Sequence, residues 1–254
     1  MTLLKSEWIK LTTTQSAYWL YGLAIVFAVG LGAIVGQFEQ VSAGEPVAGA
    51  PGGGSDPLFA LMGVTVFTVF LVWIAAIVSV TGEYRYHTLK ATFLVAPARW
   101  PAIVTKTALL TVASMLVTAV SIILAFVVAG GLSGVDSWTA FSGDGLKYLW
   151  RFPVYTGLGT LAVLGLAYIM RNAAGAIALL LVWTLGVESM VMMIPKFGED
   201  LAGWMPFTNG DFWTQGEIAQ GAITWGEWPA LAWYAVVCVA LWAGGLALTM
   251  RRDA

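Results

Sequence analysis

The sequence is poor in the residues that carry most enzyme chemistry. Its 254 residues include one histidine, His87, and one cysteine, Cys238. A two-histidine metal motif such as HExxH and an intrachain disulfide are therefore both impossible. No GxxxxGK[ST] segment occurs either, which excludes a P-loop for ATP in this chain. We expect no catalytic residue, no metal site and no cofactor in the chain itself.

Charge is scarce as well. Charged residues make up 10% of the chain and apolar residues 59%, whereas an average soluble domain is about 25% charged. The net charge is −2 and no long basic run occurs, which argues against nucleic acid as a partner. The composition predicts an integral membrane protein, with the lipid bilayer as its surroundings.

The apolar residues form six runs of about the 20 residues that a helix needs to cross a bilayer. We predict one all-α polytopic domain over 1–254, with spans at 17–38, 58–80, 108–130, 152–170, 173–194 and 228–250. Lys147 and Arg151 lie just before the fourth span, and they leave the limits of that loop open. Polar residues precede the first run, which is not typical of a cleavable signal peptide.

The first residues predict a short helix that lies on the membrane. Leu4, Trp8 and Leu11 follow helical spacing, and most of the polar residues between them fall on other faces. A tryptophan on the apolar side favours the interface. We predict an interfacial helix over 2–15, and an ordinary positively charged flanking segment is the alternative.

Gly32 and Gly36 form a GxxxG pair inside the first span. Such spacing allows close approach of two helices. Because the chain has 29 glycines, we expect this pair to reflect composition and to have no special role in packing.

Lysine and arginine predict the orientation. With a cytoplasmic N-terminus, nine of the twelve basic residues fall on the cytoplasmic side and three, Lys147, Arg151 and Lys196, fall outside. The positive-inside rule favours this arrangement. We predict a multi-pass protein of the plasma membrane with both termini in the cytoplasm.

Four of the cytoplasmic basic residues lie in the loop 81–106, between the second and third spans. The first half of this loop predicts a surface helix, because Tyr84, Thr88, Ala91 and Val95 fall on one face. Two prolines, at 97 and 101, are expected to end that helix before the third span begins.

Glu188 is the only ionisable residue well inside a predicted span. An acidic group at a helix centre costs roughly 2.5 to 3.5 kcal/mol to insert, so it is a candidate functional residue. It lies seven residues before Pro195, roughly 10 Å along a helix, which predicts contact with water in the outer leaflet. Two interpretations stay open: a polar gate or substrate contact at the outer mouth, or a snorkelling residue with no role in transport.

The segment 196–227 is the longest hydrophilic one, yet it is rich in aromatic residues. Those residues are Trp204, Phe207, Phe212, Trp213 and Trp225. Aromatic residues concentrate at membrane interfaces. We expect the segment to lie on the interface or to dip into it.

Five stretches, taken in order, resemble the membrane subunit of bacterial ABC transporters of the ABC-2 type. They are SEWIKL at 6–11, TGEYRYHTLKAT at 81–92, RNAAGAI at 171–177, WMPF at 204–207 and the terminal RRDA. The resemblance implies an N-terminal elbow helix, six spans and a coupling helix between the second and third spans. It also implies a partly re-entrant segment between the fifth and sixth spans.

The resemblance implies partners too. Glu83, Tyr84, Arg85, Thr88 and Leu89 match the coupling motif, which in that family docks on a separate nucleotide-binding subunit. That ABC ATPase subunit would bind the ATP and Mg. A second permease subunit, either a copy of this chain or a different one, would complete the membrane part.

The family places its translocation path between two permease subunits, lined largely by the second and fifth spans. The residues offered there are Thr65, Phe67, Thr68, Phe70, Thr184, Glu188, Met190, Met192 and Met193. Such a wall suits an apolar or amphipathic cargo, such as a drug, an antibiotic peptide or a lipid. Aromatic and methionine residues at helical spacing are also common in ordinary packing, so that interpretation stays open.

The leading hypothesis is therefore an ABC exporter permease. An intramembrane enzyme would need buried nucleophiles, bases or metal ligands, which the sequence almost entirely lacks. An ion-coupled secondary transporter would need internal repeats and several buried acidic groups, and only Glu188 fits. A non-transporting membrane anchor or sensor for an ATPase is compatible with every motif.

Overall fold

The computed structural model describes residues 7–10, 15–41, 57–86, 99–133, 141, 143–194, 197–216 and 223–252. All regular structure in these ranges is helical. Contacts divide the chain into two compact units, one of 1–17, 76–112 and 157–254, and one of 18–75 and 113–156. The first is called the charged unit below, because it holds the ion pairs discussed there, and the second the glycine-packed unit.

Ten α-helices follow the short helical segment 7–10 along the described chain. They are α1 (Gln15–Val41), α2 (Pro57–Ala60), α3 (Val69–Arg85), α4 (Arg99–Ser133), α5 (Asp144–Met170), α6 (Ala173–Leu181), α7 (Glu188–Met192), α8 (Gly198–Ala202), α9 (Pro206–Gln215) and α10 (Glu227–Arg252). Two π-helical segments, Val64–Thr68 and Val182–Val187, lead directly into α3 and α7.

Six helical stretches are long and apolar enough to cross a membrane. They are Gln15–Gln37, Val64–Arg85, Trp100–Leu132, Gly145–Met170, Ala173–Val191 and Glu227–Arg251. The prediction of an all-helical chain with six such helices is confirmed, and the chain is compatible with a multi-pass membrane protein.

The helices extend past the predicted spans where the sequence becomes charged. α3 continues to Arg85, and α4 begins at Arg99 instead of Ala108, so both ends of the predicted loop 81–106 are helical. Pro101 lies in the first turn of α4, where a missing N–H costs no hydrogen bond. It therefore does not separate a surface helix from the third span, as the sequence had suggested.

The open question about Lys147 and Arg151 has a similar answer. Both residues lie inside α5, which begins at Asp144, so the loop ends before them. The predicted start at 152 follows the apolar run, whereas backbone hydrogen bonding continues into the charged residues outside it. An apolar run locates the hydrocarbon and leaves the helix ends undetermined.

Glycines bring helices together in the glycine-packed unit. A Cβ atom on Gly36 would lie 2.5 Å from the carbonyl oxygen of Ala129, and one on Gly32 would lie 3.1 Å from that of Ala125. These distances place α1 against α4 with no room for a side chain at Gly36. The prediction that this GxxxG pair has no special packing role is wrong.

The charged unit has its own close helix contact. A Cβ atom on Gly165 would lie 2.4 Å from the carbonyl oxygen of Leu241, and one on Gly245 would lie 2.6 Å from that of Gly165. α5 and α10 therefore touch through their backbones. Trp242 of α10 also donates from Nε1 to Oγ1 of Thr107 in α4, at 3.0 Å. These contacts fix α10 beside the ends of α3 and α4 that carry the candidate site.

Candidate functional site

Four charged side chains meet where α3 ends and α4 begins. Glu83 Oε1 lies 2.8 Å from Lys106 Nζ and 3.0 Å from Lys10 Nζ. Lys10 Nζ lies 2.6 Å from Glu7 Oε1. The side chains of Glu83 and Lys106 are 13% and 9% exposed. The segment 7–10 and the parts of α3 and α4 that lie in the charged unit are joined through this charge network, defined as Glu7, Lys10, Glu83 and Lys106.

The network is neutral as a set, and each ammonium group in it has a carboxylate partner. Lys106 Nζ also donates to the carbonyl oxygen of Ser79 at 3.2 Å. A charge this deeply buried needs both a counter-ion and hydrogen bonds, since losing one partner of a buried pair costs about 3 to 5 kcal/mol. The geometry therefore makes Glu83 a structural requirement at the end of α3.

Lys10 stays charged in this setting. Partial burial lowers the pKa of its ammonium group, but the hydrogen bonds and charges of Glu7 and Glu83 outweigh burial and raise that pKa above its ordinary value. The segment 7–10 is therefore held to α3 by a permanent positive charge at neutral pH.

Tyr84 makes the second set of contacts at the end of α3. Its ring lies under the guanidinium group of Arg171, 5.1 Å from the ring centroid. Its hydroxyl lies 3.4 Å from Oγ1 of Thr249 in α10. A stacked guanidinium contributes about 0.5 to 1 kcal/mol at an exposed site and more when desolvated. Tyr84 thus links α3 to the turn before α6 and to α10.

The turn at Arg171 and Asn172 is built by its sequence. Arg171 has φ 53°, a left-handed conformation that costs a non-glycine residue roughly 1 to 2 kcal/mol. Asn172 is extended, and its side chain accepts a hydrogen bond from the backbone N–H of Ala174 at 3.0 Å. The side chain of Asn172 is therefore the N-cap of α6. The two residues reverse the chain between α5 and α6 and hold Arg171 beside Tyr84.

These groups surround a cavity of about 900 Å³, called the polar cavity below. Its charged lining residues are Glu7, Lys10, Glu83, Arg85, Lys106 and Arg171. The first residues of α6 also line it, and Val78, Leu109 and Leu110 supply apolar wall. All of its lining belongs to the charged unit.

The structure brings together two of the five residues matched to the coupling motif. Glu83 and Tyr84 lie in the contacts just described. Arg85 is exposed, with its guanidinium group 5.8 Å from the ring centroid of Tyr86. Thr88 and Leu89 lie outside the described residues, as does most of the predicted elbow helix 2–15, of which 7–10 is helical.

The candidate path residues of the second span are mostly engaged in packing. Thr68 is buried and donates to the carbonyl oxygen of Ala24 at 2.9 Å. Phe70 contacts Trp73 edge-on, with ring centroids 5.8 Å apart. Thr65 donates to the carbonyl oxygen of Met62. Among these residues, Phe67 is the one with an exposed ring.

Phe67 stacks on Phe27 at 4.5 Å, so part of its ring is covered as well. In the fifth span, Thr184 donates to the carbonyl oxygen of Leu180 at 2.8 Å. Met190 and Met193 are 70% and 80% exposed. The side chain of Met192 lies outside the described residues. The exposed apolar groups of the candidate path are therefore Phe67, Met190 and Met193.

Glu188 has a role that neither sequence interpretation contained. Its side chain is buried, and four donors from three residues converge on its carboxylate. Trp183 Nε1 and the backbone N–H of Phe207 donate to Oε1 at 2.8 and 3.2 Å. The backbone N–H and the hydroxyl of Thr208 donate to Oε2 at 2.7 and 2.9 Å. The prediction of a water-accessible Glu188 is wrong, because its oxygens are occupied by protein donors.

The carboxylate of Glu188 caps the N-terminus of α9. Met205 holds the N-cap position and offers no side-chain acceptor, and Pro206 at the first helical position has no N–H. Phe207 and Thr208 therefore carry the first backbone donors of the helix, and both donate to Glu188. A negative charge is also favourable at this end of the helix dipole.

A sequence signal for this cap existed in the MPFT stretch at 205–208. A proline at the start of a helix, without a preceding Ser, Thr, Asp or Asn, leaves backbone donors that need an acceptor from elsewhere. The identity of the acceptor was beyond sequence reasoning, because Glu188 lies on another helix.

The π-helical segment Val182–Val187 helps to place this carboxylate. In a π-helix, backbone hydrogen bonds join residues five apart, and here the backbone N–H of Glu188 donates to the carbonyl oxygen of Trp183. Trp183 and Glu188 have this spacing, and the indole N–H of Trp183 meets the carboxylate at 2.8 Å. The segment therefore turns Glu188 toward α9 and supplies one of its four donors.

Asn209 stabilises the same region, and sequence reasoning missed it. Its amide group donates to the carbonyl oxygens of Gly203 and Met205 at 2.7 and 2.8 Å. Its Oδ1 accepts a hydrogen bond from Nε1 of Trp225 at 2.9 Å. The side chain of Asn209 is thus used by both backbone and indole partners, which fixes α9 against the chain on either side of it.

Comparisons with protein families, curated proteins and solved structures give no match. The resemblance to ABC-2 permeases therefore depends on the five sequence stretches. Among the residues that the structure describes, no three His, Cys, Asp or Glu side chains are grouped to hold a metal ion.

Proposed function

We propose that this chain is the membrane permease subunit of an ATP-driven ABC transporter of the ABC-2 type. The transporter would export an apolar or amphipathic compound, and a separate nucleotide-binding subunit would bind and hydrolyse ATP with Mg. A second permease subunit would complete the complex. The chain would lie in the plasma membrane with both termini in the cytoplasm, as the distribution of basic residues favours.

The observation that carries this proposal is the attachment of the end of α3. Glu83 binds Lys10 and Lys106, and Tyr84 contacts Arg171 and Thr249. The residues that immediately follow, Arg85 and Tyr86, are exposed. A displacement applied there would be passed to α4, α6 and α10 together with α3, which is what coupling to an ATPase requires.

The contact between Glu188, near the predicted outer end of the fifth span, and α9 is a second observation that supports the proposal. Glu188 fixes α9 to that span through two backbone amides. A tilt of the fifth span would therefore move α9 with it. This connection gives the segment 197–216 a mechanical link to the membrane helices, in keeping with a re-entrant segment at the exit of an exporter.

The test is a charge reversal at Arg85. We expect Arg85→Glu to leave membrane abundance normal, because the residue is exposed at a helix end. Loss of charge-assisted hydrogen bonds worth about 1.5 to 3 kcal/mol would weaken ATPase binding by roughly ten- to a hundredfold. Co-purification of the ATPase from native membranes, and substrate-stimulated ATP hydrolysis, are the two measurements.

Lys147→Glu is the matched control. Lys147 is an exposed basic residue in α5, and the predicted orientation places it outside. Its reversal should leave ATPase binding intact. Full binding by the Arg85 variant together with loss in the Lys147 variant would show that both the orientation and the assignment of the coupling residues are wrong.

A non-transporting anchor for an ATPase is the second candidate, and the packing of the path residues favours it. Thr68, Phe70 and Glu188 use their side chains within the protein, which leaves few groups for cargo. An ATPase that co-purifies and depends on Arg85, but that no compound stimulates, would support this candidate. Ion-coupled transport is the weaker alternative, because Glu188 is already occupied by its four donors.

A further inference from the structure

Three tryptophans of the charged unit form a cluster near the start of α10, a helix long enough to span a membrane. Trp204 lies in the turn before α9, Trp225 lies two residues before α10, and Trp233 lies in the second turn of α10. The ring centroid of Trp204 is 4.9 Å from that of Trp225 and 5.5 Å from that of Trp233. Both neighbouring rings stand nearly perpendicular to it, at 88° and 87°. These three residues are called the tryptophan cluster below.

The protein itself holds two of these rings in place. Trp225 Nε1 donates to Oδ1 of Asn209 at 2.9 Å, and Trp233 Nε1 donates to the backbone carbonyl oxygen of Trp204 at 3.0 Å. A tryptophan that only anchors a helix at the membrane interface presents its polar N–H to water or headgroups. Here both N–H groups are used within the protein, so the fold sets the perpendicular arrangement of the rings before any ligand binds.

The central ring of the cluster is open to its surroundings. Trp204 is 56% exposed, although it contacts two other indoles. The face of an indole carries negative electrostatic potential, and a cation within about 6 Å of the ring centroid is attracted to it. Aromatic rings at right angles can contact one cation from several sides, as the aromatic cages for quaternary ammonium groups do. The cluster therefore suits a cation better than an anion.

The charge of the surrounding chain favours the same kind of ligand. Between Lys196 and Arg251 the sequence contains no basic residue and five acidic ones, Glu199, Asp200, Asp211, Glu217 and Glu227. A stretch of one sign raises the local concentration of ions of the other sign. A phosphate or carboxylate ligand would be repelled by these residues, whereas a cation would be attracted.

Hydration determines which cation fits. A sodium or ammonium ion holds its water strongly, whereas a quaternary ammonium group carries its charge beneath methyl groups that pack well against aromatic rings. We propose that the tryptophan cluster binds a quaternary ammonium group, the chemistry shared by free choline and by the headgroup of a choline lipid. The proposal concerns this chain alone and is independent of an ATPase partner and of transport.

The test uses the full-length protein in neutral detergent, labelled with fluorotryptophan so that its 13 tryptophans give fluorine NMR signals. Substitution of each cluster residue by phenylalanine assigns its signal. Choline chloride is titrated in parallel with sodium chloride and with the uncharged alcohol in which carbon replaces the nitrogen of choline. We expect choline to shift the three cluster signals in a saturable way, while the other two compounds leave them nearly unchanged.

The variants locate the site. Trp204→Leu should weaken the affinity for choline by about three- to tenfold, because an exposed indole is removed. Trp233 donates to the backbone oxygen of residue 204, so this variant keeps that hydrogen bond. Trp204→Phe should show a smaller loss, since phenylalanine keeps a weaker aromatic face. Unchanged signals from the tryptophans outside the cluster show that each variant is folded.

Trp100→Leu is the matched control. Trp100 is 54% exposed and lies in α4, outside the cluster, so its loss should leave the affinity for choline unchanged. Phosphatidylcholine, titrated into the micelles beside phosphatidylglycerol, identifies the source of the group. Saturable shifts with free choline assign the site to a soluble compound, and shifts with phosphatidylcholine alone assign it to a lipid headgroup. Both results support the proposal.

Four results would overturn the proposal. Equal shifts with choline and its uncharged counterpart would leave apolar contact as the only attraction, and equal shifts with sodium would leave only the acidic residues. A Trp204→Leu variant with unchanged affinity would place the ligand elsewhere, and the absence of shifts with both choline and phosphatidylcholine would remove the site. None of these measurements involves an ATPase, so the permease function is tested separately at Arg85.

Discussion

Glu83, which is partly buried, and Glu188, which is buried, are two glutamates of the charged unit whose charges are balanced in different ways. Glu83 is balanced by ammonium groups from Lys10 and Lys106. Glu188 is balanced by neutral donors, two of which are the backbone amides at the start of a helix. The first arrangement joins side chains that can exchange partners, whereas the second fixes one backbone segment to another.

The difference shows what each region is suited to. In the charge network, Lys10 lies between Glu7 and Glu83 and contacts both, so a small movement shifts the balance between two ion pairs. At Glu188, each carboxylate oxygen accepts a hydrogen bond from a backbone amide of α9, so a movement of the fifth span carries α9 along. The ion pairs at Glu83 can therefore adjust to a movement, whereas the hydrogen bonds at Glu188 transmit one.

The largest expected effect is a difference in thiol labelling, which tests whether the region around Glu83 and the region around Glu188 lie on opposite sides of the membrane. In a Cys238→Ala background, Asp200→Cys, on α8, should react with an impermeant thiol reagent in intact cells. Tyr86→Cys should react only after permeabilisation. Both native side chains are exposed, so a difference in labelling reports the side of the membrane. Labelling of position 86 in intact cells would invert the orientation.

The next effect tests the charge balance at Glu83. Glu83→Gln leaves Lys106, which is 9% exposed, without its carboxylate, and should destabilise the protein by about 3 to 5 kcal/mol. The double change Glu83→Gln and Lys106→Met removes the stranded charge and should recover a large part of that loss. Chemical unfolding in detergent, followed by tryptophan fluorescence, measures both. A double variant less stable than the single one would contradict an energetic role for this pair.

The smallest effect tests the cap at Glu188. Glu188→Gln keeps one acceptor oxygen but turns an amide toward donors, so we expect a loss of about 1 to 3 kcal/mol. The loss should be local: hydrogen exchange at the amides of Phe207 and Thr208 should accelerate. Asp200→Asn, an exposed change on α8, serves as the control. Unchanged protection of both amides in the Glu188→Gln variant would rule out the cap as the element that holds α9.

The sequence was sufficient to predict six helices long and apolar enough to span a membrane, because a bilayer demands a long apolar run for each such helix. The ends of these helices could not be predicted from the apolar runs. Arg99 and Lys147 are helical although they lie outside the apolar runs, because hydrogen bonding of the backbone does not stop where the hydrocarbon does. The prediction that Pro101 ends a surface helix was wrong for a related reason: proline is compatible both with the first turn of a helix and with a loop before one.

The candidate site was predictable in part. The motif at 81–92 drew attention to Glu83 and Tyr84, and both lie at the centre of the observed contacts. Their partners, Lys10, Lys106 and Arg171, are distant in sequence, and only the packing of the helices brings them together. Glu188 was chosen correctly as an unusual residue, but its role depends on a helix nineteen residues away and on a π-helical segment that no apolar pattern announces.

The π-helical segment Val182–Val187 determines the direction in which the side chains after it in the fifth span point. Each residue of an α-helix turns the chain by about 100°, so an α-helical version of this segment would point Glu188 to a different side. The carboxylate would then leave the amides of Phe207 and Thr208, and the indole of Trp183 would lose its acceptor. The wider turn of this π-helical segment therefore keeps Glu188 in contact with the first amides of α9.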